Sequence, residues 1–152
     1  ATGSEVQLAL KAQELLAAKK IGVRVVSMPS TTTFDRQTSS YKSEVLPAGL
    51  PRVAVEMGST DGWWKYGCAA VVGIDTYGES APAPALFKHF GFTPENVADT
   101  VRKVLQDPAV LKRLEATGSR VVANSPVEFA AQLKAEYEVY KKVVDAQKLK
   151  LD

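Results

Sequence analysis

The sequence is short of the residues that do most protein chemistry. Cys68 is its only cysteine and His89 its only histidine. A lone cysteine permits no internal disulfide, and one Cys with one His cannot build a Cys/His metal site. A reducing, cytoplasmic setting is the expectation. No apolar run approaches the roughly 20 residues of a membrane span, and no basic segment followed by an apolar one opens the chain as an export signal would. Charge of one sign is missing too. The 19 Lys and Arg are interspersed with 17 Asp and Glu, and a formal net charge of +2 is too small to argue for nucleic acid or membrane as partner.

What is present is a foldable apolar content. At 152 residues and 45% hydrophobic, the chain suits a packed core rather than disorder. It is organised around Val71-Val72-Gly73-Ile74-Asp75-Thr76-Tyr77-Gly78-Glu79-Ser80-Ala81-Pro82. There a β-branched apolar run meets a turn with two glycines, and a proline then opens a helix. A buried strand of an open α/β sheet hands over to its covering helix in this way. The Gly78–Pro82 loop is expected at the carboxyl edge of the sheet, where such folds bind ligands.

Before this stretch, Ser4 and Gln7 have capping-box spacing for a helix running to about Lys19, apolar except for a stripe of Gln7, Lys11 and Glu14. Gly22 ends the connection, and Val23–Met28 reads as a strand stopped by Pro29. Short helices are expected around Phe34–Gln37 and Ser40–Leu46. Arg52–Met57 reads as a second strand, alternating Val53, Val55 and Met57 against Arg52, Ala54 and Glu56. A loop over Gly58–Gly62 and a helical turn over Trp63–Tyr66 lead to a third strand at Ala69–Ile74.

Beyond it, Pro84–Phe90 is a short helix ended by Gly91. Thr93 caps a helix with Pro94 at its first position, and Asp107-Pro108 repeats the device for a helix through Leu111 and Leu114 that Gly118 closes. Arg120–Ala123 is a candidate fourth strand. Ser125-Pro126-Val127-Glu128 opens a final helix whose Phe129, Leu133, Tyr137, Tyr140 and Val144 form one apolar stripe against the body. The expected fold is therefore α/β, a three-layer α/β/α sandwich on a mostly parallel sheet of about four strands. Its best boundary is at 106/107, with 107–152 a strand-plus-helix tail packed on the same domain.

Candidate chemistry is thin. Gly73 to Ser80 has the spacing of a phosphate loop, but Glu79 stands where lysine supplies the positive charge, which leaves a structural turn as the competing reading. The turns at Gly3 and Ser4, and at Gly78, Glu79 and Ser80, are a candidate anion or small-ligand site through free amides at a helix start; ordinary capping is the alternative. Ser80, His89 and Asp75 assemble a triad on paper, without the Gly-x-Ser-x-Gly elbow that would position the nucleophile. Cys68 reads as packing beside a strand. Trp63, Trp64 and Tyr66 are either a partner surface or aromatic core. No residue is assigned as catalytic, cofactor-binding or metal-binding.

Several segments carry a resemblance. Ala1-Thr2-Gly3-Ser4-Glu5-Val6, Val23-Arg24-Val25-Val26-Ser27-Met28-Pro29-Ser30, Arg52-Val53-Ala54-Val55-Glu56, Trp64-Lys65-Tyr66, Gly78-Glu79-Ser80-Ala81-Pro82-Ala83 and Phe90-Gly91-Phe92-Thr93 stand in the order found in bacterial transketolases. Residues 1 to about 105 thus resemble the C-terminal domain of that family. The end of the chain, from Asp107-Pro108 through Ser125-Pro126-Val127-Glu128-Phe129-Ala130 to Lys148-Leu149-Lys150-Leu151-Asp152, is similar to the C-terminus of periplasmic tricarboxylate-binding proteins of tripartite transporters. The whole reads as a hybrid, natural or designed.

The transketolase resemblance implies an α/β packing and assembly module, sometimes suggested to be regulatory. It also implies that thiamine diphosphate, its magnesium and the sugar phosphate are handled by other domains, so that no cofactor is expected here. In the family an apolar strand runs directly into the Ala-Thr-Gly-Ser-Glu turn. The abrupt opening at Ala1 reads as a truncation, and Arg120–Ala123 is expected to fill the vacant slot or to add to an edge. The expected role is non-catalytic packing or docking, with protein partners through self-association or contact with other transketolase-like domains. The alternatives are a stand-alone binding protein acting as regulator, inhibitor or antitoxin, and a small-ligand site at the Gly3 and Gly78 turns.

Overall fold

The computed structural model describes residues 1–116, with 131, 133–135, 137–139 and 141 of the tail. Two compact units divide between Val121 and Val122, so the boundary expected at 106/107 falls inside the first. The candidate strand Arg120–Ala123, Gly118 and the Ser125–Glu128 cap lie outside the described residues. The described tail residues are helical; of the expected apolar stripe, Leu133 and Tyr137 are exposed, at 51% and 64%.

In the first unit the elements run α1 (Glu5–Ala17), α2 (Thr31–Asp35), α3 (Ser39–Val45), β1 (Val53–Val55), α4 (Asp61–Trp64), β2 (Ala70–Val72), α5 (Ala83–His89), α6 (Pro94–Gln106) and α7 (Pro108–Ala116). The strands β1 and β2 are parallel, with Val53 opposite Ala70 and Val55 opposite Val72. Side chains alternate across the pair, as strand geometry requires. Val55 and Val72 enter a core built with Ala12 and Leu16 of α1, Phe92, and Val97 and Ala98 of α6. Ala54 and Val71 face a second core of Met28, Phe34 of α2 and Trp63 of α4. Helices on both sides of a parallel pair make the three layers, and the fold is α/β.

The sheet among the described residues has two strands, fewer than the four expected. Val23–Met28 is extended but is not a ladder strand. Its strand-like contact is with one residue: the Ala1 nitrogen donates to the Val26 carbonyl at 3.1 Å, and the Met28 amide donates to the Ala1 carbonyl at 2.9 Å. This is a single rung of parallel pairing.

Thr93 and Asp107 cap their helices as expected, and Ser30 and Thr38 add caps that the sequence reading did not name. Thr93 accepts from the Asn96 amide, Ser30 from Thr33 and Thr38 from Tyr41. Asp107 Oδ1 accepts the Ala109 amide and starts α7, whose Leu114 is buried. The capping box at Ser4 does not form. Gly3 turns the chain at φ +48°, Ser4 is already helical at φ −65°, ψ −25°, and its hydroxyl donates to Glu5 Oε1 instead. The α1 terminus is set by Lys20 at φ +61°, with Ile21 N–H on the Leu16 carbonyl and Lys20 N–H on that of Ala17. This paired closure, with Ile21 folded back onto the core, ends the helix before Gly22.

Candidate functional site at the carboxyl edge of the sheet

Three chain segments end side by side at the carboxyl edge: Ala1–Thr2, Met28–Pro29 and Glu56–Gly58. From Thr2 the chain leads into α1 on the first face. From Gly58 it leads into α4 on the second. Neighbouring strand ends whose connections depart to opposite faces leave a crevice between them. Here it is a cleft of about 450 Å³ lined by Thr2, Met28, Pro29, Glu56, Trp63 and Lys65, among others.

Its far wall is held by Asp75, just beyond β2. Oδ1 accepts the Thr60 amide at 2.8 Å and the Ser59 hydroxyl at 3.4 Å, while Oδ2 accepts the Thr60 hydroxyl at 2.8 Å. The Thr60 amide, then its hydroxyl, holds the Asp75 carboxyl below its ordinary pKa. Trp64 Nε1–H in turn donates to Thr60 Oγ1 at 3.3 Å. Gly73 permits this closeness. A Cβ there would stand 2.7 Å from Thr60 Cγ2 and 3.0 Å from the Gly58 carbonyl.

Glu56 projects from the end of β1. Its Oε2 is buried without a hydrogen-bond partner. Burial first, then the charge of Glu5, raises its pKa, while the Thr2 side chain and the Ala1 ammonium act the other way. Glu5 itself is only 4% exposed and accepts from Ser4. Arg52, at the other end of β1, donates to the carbonyls of Tyr66 at 2.5 Å, Leu46 at 2.9 Å and Pro47 at 2.8 Å. Lys65 at the rim is paired with Asp35 at 2.6 Å, and Tyr66 donates to the same carboxylate at 2.8 Å.

Gly3 and Ser4 open α1. Gly78, Glu79 and Ser80 lie in an exposed loop, away from that helix start in the chain and not brought to the cleft lining. Asp75 is spent on Thr60 and Ser59, and His89 stacks edge-on against Phe90 with ring centroids 4.8 Å apart, so Ser80, His89 and Asp75 are not linked. Trp63 is buried and touches Tyr66, which meets Phe34 edge-on at 5.8 Å; Trp64 is 48% exposed. Cys68 is half-buried beside the second core, and burial raises its thiol pKa against the pull of Arg52.

Sequence reading missed Glu56, and it placed Thr2 and Glu5 only at a candidate anion turn. The signal was there for Glu56, because alternation put Arg52, Ala54 and Glu56 on one face; that face reads as polar, yet Ala54 within it packs under α2 and α4.

Among the described residues, no group of three or more His, Cys, Asp or Glu is placed to hold a metal, and no helix is long and apolar enough to cross a membrane. The cleft presents a carboxyl group and hydroxyls, with its lysine already paired.

Residues 1–93 match the transketolase-like C-terminal domain family. Transketolase 1 of Pasteurella multocida is 52% identical over 108 residues, covering 69% of this chain and 16% of that protein. A probable transketolase of Streptococcus pneumoniae is 53% identical over 107 residues, covering 68% and 16%. The solved transketolase of Leishmania mexicana is 48% identical with a TM-score of 0.64, over 67% of this chain and 15% of that one. A Pichia stipitis transketolase in complex with sedoheptulose-7-phosphate is 41% identical with a TM-score of 0.65, over 82% and 18%. The chain thus spans 16% of the length of these curated relatives. With identity of this level carried through one continuous region, the chain belongs to the transketolase-like C-terminal domain family.

Proposed function

We propose that this chain is a non-catalytic packing and assembly module of transketolase type, acting in the cytoplasm through protein contacts. The observation that carries this reading is the confinement of the likeness to 16% of its relatives' length, in the C-terminal domain. Fold alone does not transfer an activity, which lives in particular residues. On this reading thiamine diphosphate and magnesium belong to other domains, and the partners are a second copy or other transketolase-like domains. The direct test is a ketol-transfer assay on the purified 152-residue chain with thiamine diphosphate, magnesium and sugar phosphates. Turnover above the protein-free rate would defeat the proposal.

A second reading is a stand-alone binding protein, a regulator, inhibitor or antitoxin-like chain. It is favoured by the exposed apolar side chains at the carboxyl edge, Met57, Trp64 and Tyr77, the last 97% exposed. Exposed aromatics are the side chains that most often anchor protein contacts. In the same proposal the chain is a hybrid whose end derives from a tricarboxylate-binding protein of a tripartite transporter. Its support is that the curated relatives are matched over 69% of this chain. Light scattering across concentration separates the readings, since self-association is the signature of the first.

A further inference from the structure

We propose that the cleft at the carboxyl edge binds a small organic cation of the primary-ammonium class, with Glu56 as its counter-ion and Trp63 as its apolar wall. This goes beyond a packing role and does not depend on it.

The cleft's place in the fold is the first support. It lies where the Thr2 connection leaves for α1 on one face and the Gly58 connection leaves for α4 on the other. Its volume of about 450 Å³ is within the roughly 300–1,000 Å³ range of small-molecule sites.

Its chemistry selects the ligand. Glu56 is a carboxyl group with a buried oxygen that receives no hydrogen bond. A ligand cannot reach an atom so buried, which leaves the second oxygen of the carboxyl group to meet it. The other oxygen, Oε1, lies beside Gly58, where an added Cβ would come within 3.9 Å of it, so the cleft wall leads directly to the carboxyl group. Lys65, the cationic side chain of the lining, is already paired with Asp35. The remaining charges nearby are Glu5 behind Glu56 and the Ala1 ammonium, which acts on both carboxyls. Glu56 is the acid of the lining and Lys65 is paired, so ionised Glu56 favours a cation and opposes phosphate or carboxylate. The rest of the lining includes Met28, Pro29 and Trp63 together with the hydroxyl residues Thr2, Ser30, Thr31 and Ser59. An ammonium on a short alkyl stem matches both ends, through a charge-assisted hydrogen bond and contact with the indole.

The test is titration of the full chain with n-propylamine, n-propanol and propionate, three probes of one size differing in charge. Trp fluorescence and calorimetry are the readouts, with the melting curve of each variant recorded to establish that it is folded. Saturable binding of propylamine, with neither propanol nor propionate competing, is the expected result. Glu56→Gln keeps the shape and should weaken propylamine about tenfold or more, as loss of one charge-assisted hydrogen bond predicts. Gly58→Ala, which adds a methyl group beside Oε1, should also weaken it, while Glu79→Gln in the exposed loop should leave it unchanged. Binding should strengthen as pH rises through the raised pKa of Glu56, because ionised Glu56 is the binding form. Equal affinity of folded Glu56→Gln, or preference for propionate or propanol, would overturn the proposal. So would the absence of saturable propylamine binding by the folded wild-type chain.

Discussion

The carboxylate of Asp75 takes both the amide and the hydroxyl of Thr60, each at 2.8 Å, and so ties the end of β2 to the start of α4. Asp75→Ala should lower the melting temperature. The carboxyl is held below its ordinary pKa chiefly by the Thr60 amide, so the stabilisation is complete above the unfolded value and is lost as pH falls through the lower folded one. Acid unfolding curves below about pH 4 should therefore lose part of their steepness in Asp75→Asn; an unaltered curve would contradict the role given to this carboxylate.

Gly73 is required by proximity rather than by backbone conformation. Gly73→Ala should destabilise by about 1–3 kcal/mol, the usual cost of forcing atoms into a packed site. Because the nearest atom is Thr60 Cγ2, Thr60→Ser should recover part of that loss. The Gly58 carbonyl at 3.0 Å accounts for the part not recovered. Urea denaturation of the two single variants and the double variant measures the coupling.

Arg52 fastens the loop after α3 and the turn after α4 to the foot of β1 through three carbonyls. Arg52→Met should cost about 2–4 kcal/mol, since hydrogen bonds to a charged donor are lost and buried carbonyls are stranded. Arg52→Lys should fall between, because an ammonium cannot span the same fork of acceptors. Equal stability of all three proteins by chemical denaturation would remove Arg52 from this role.

Cys68 should react slowly with a disulfide reagent at pH 7. Burial raises its pKa and so lowers the thiolate fraction, and Arg52 is the largest opposing influence. In chemical denaturant the rate should rise to that of a free cysteine peptide. A native rate equal to the denatured one would show the thiol is not sheltered.

The alternating pattern of Arg52–Met57 correctly separated two faces of β1, yet it labelled the Arg52/Glu56 face polar. Each of those charges is built into the fold, Arg52 by carbonyls and Glu56 at a cleft. Residue type reports a preference for water, whereas packing determines whether water is present. The cap at Thr93 was legible because it acts on an amide three residues ahead, a distance that sequence inspection covers. Ser4 fails because Gly3 turns the backbone and puts Ser4 itself into helical conformation.

By itself the sequence determined the family, the alternation of strands and helices, and most helix starts, because those depend on neighbours within a turn or two. Only the tertiary structure decided that Val23–Met28 meets Ala1 instead of a ladder, that Trp63 is core while Trp64 is surface, and that Thr2 and Glu56 share a cleft. These outcomes depend on contacts between residues far apart in the chain, and a strand or a buried carboxyl group is defined by the partner it meets across that distance.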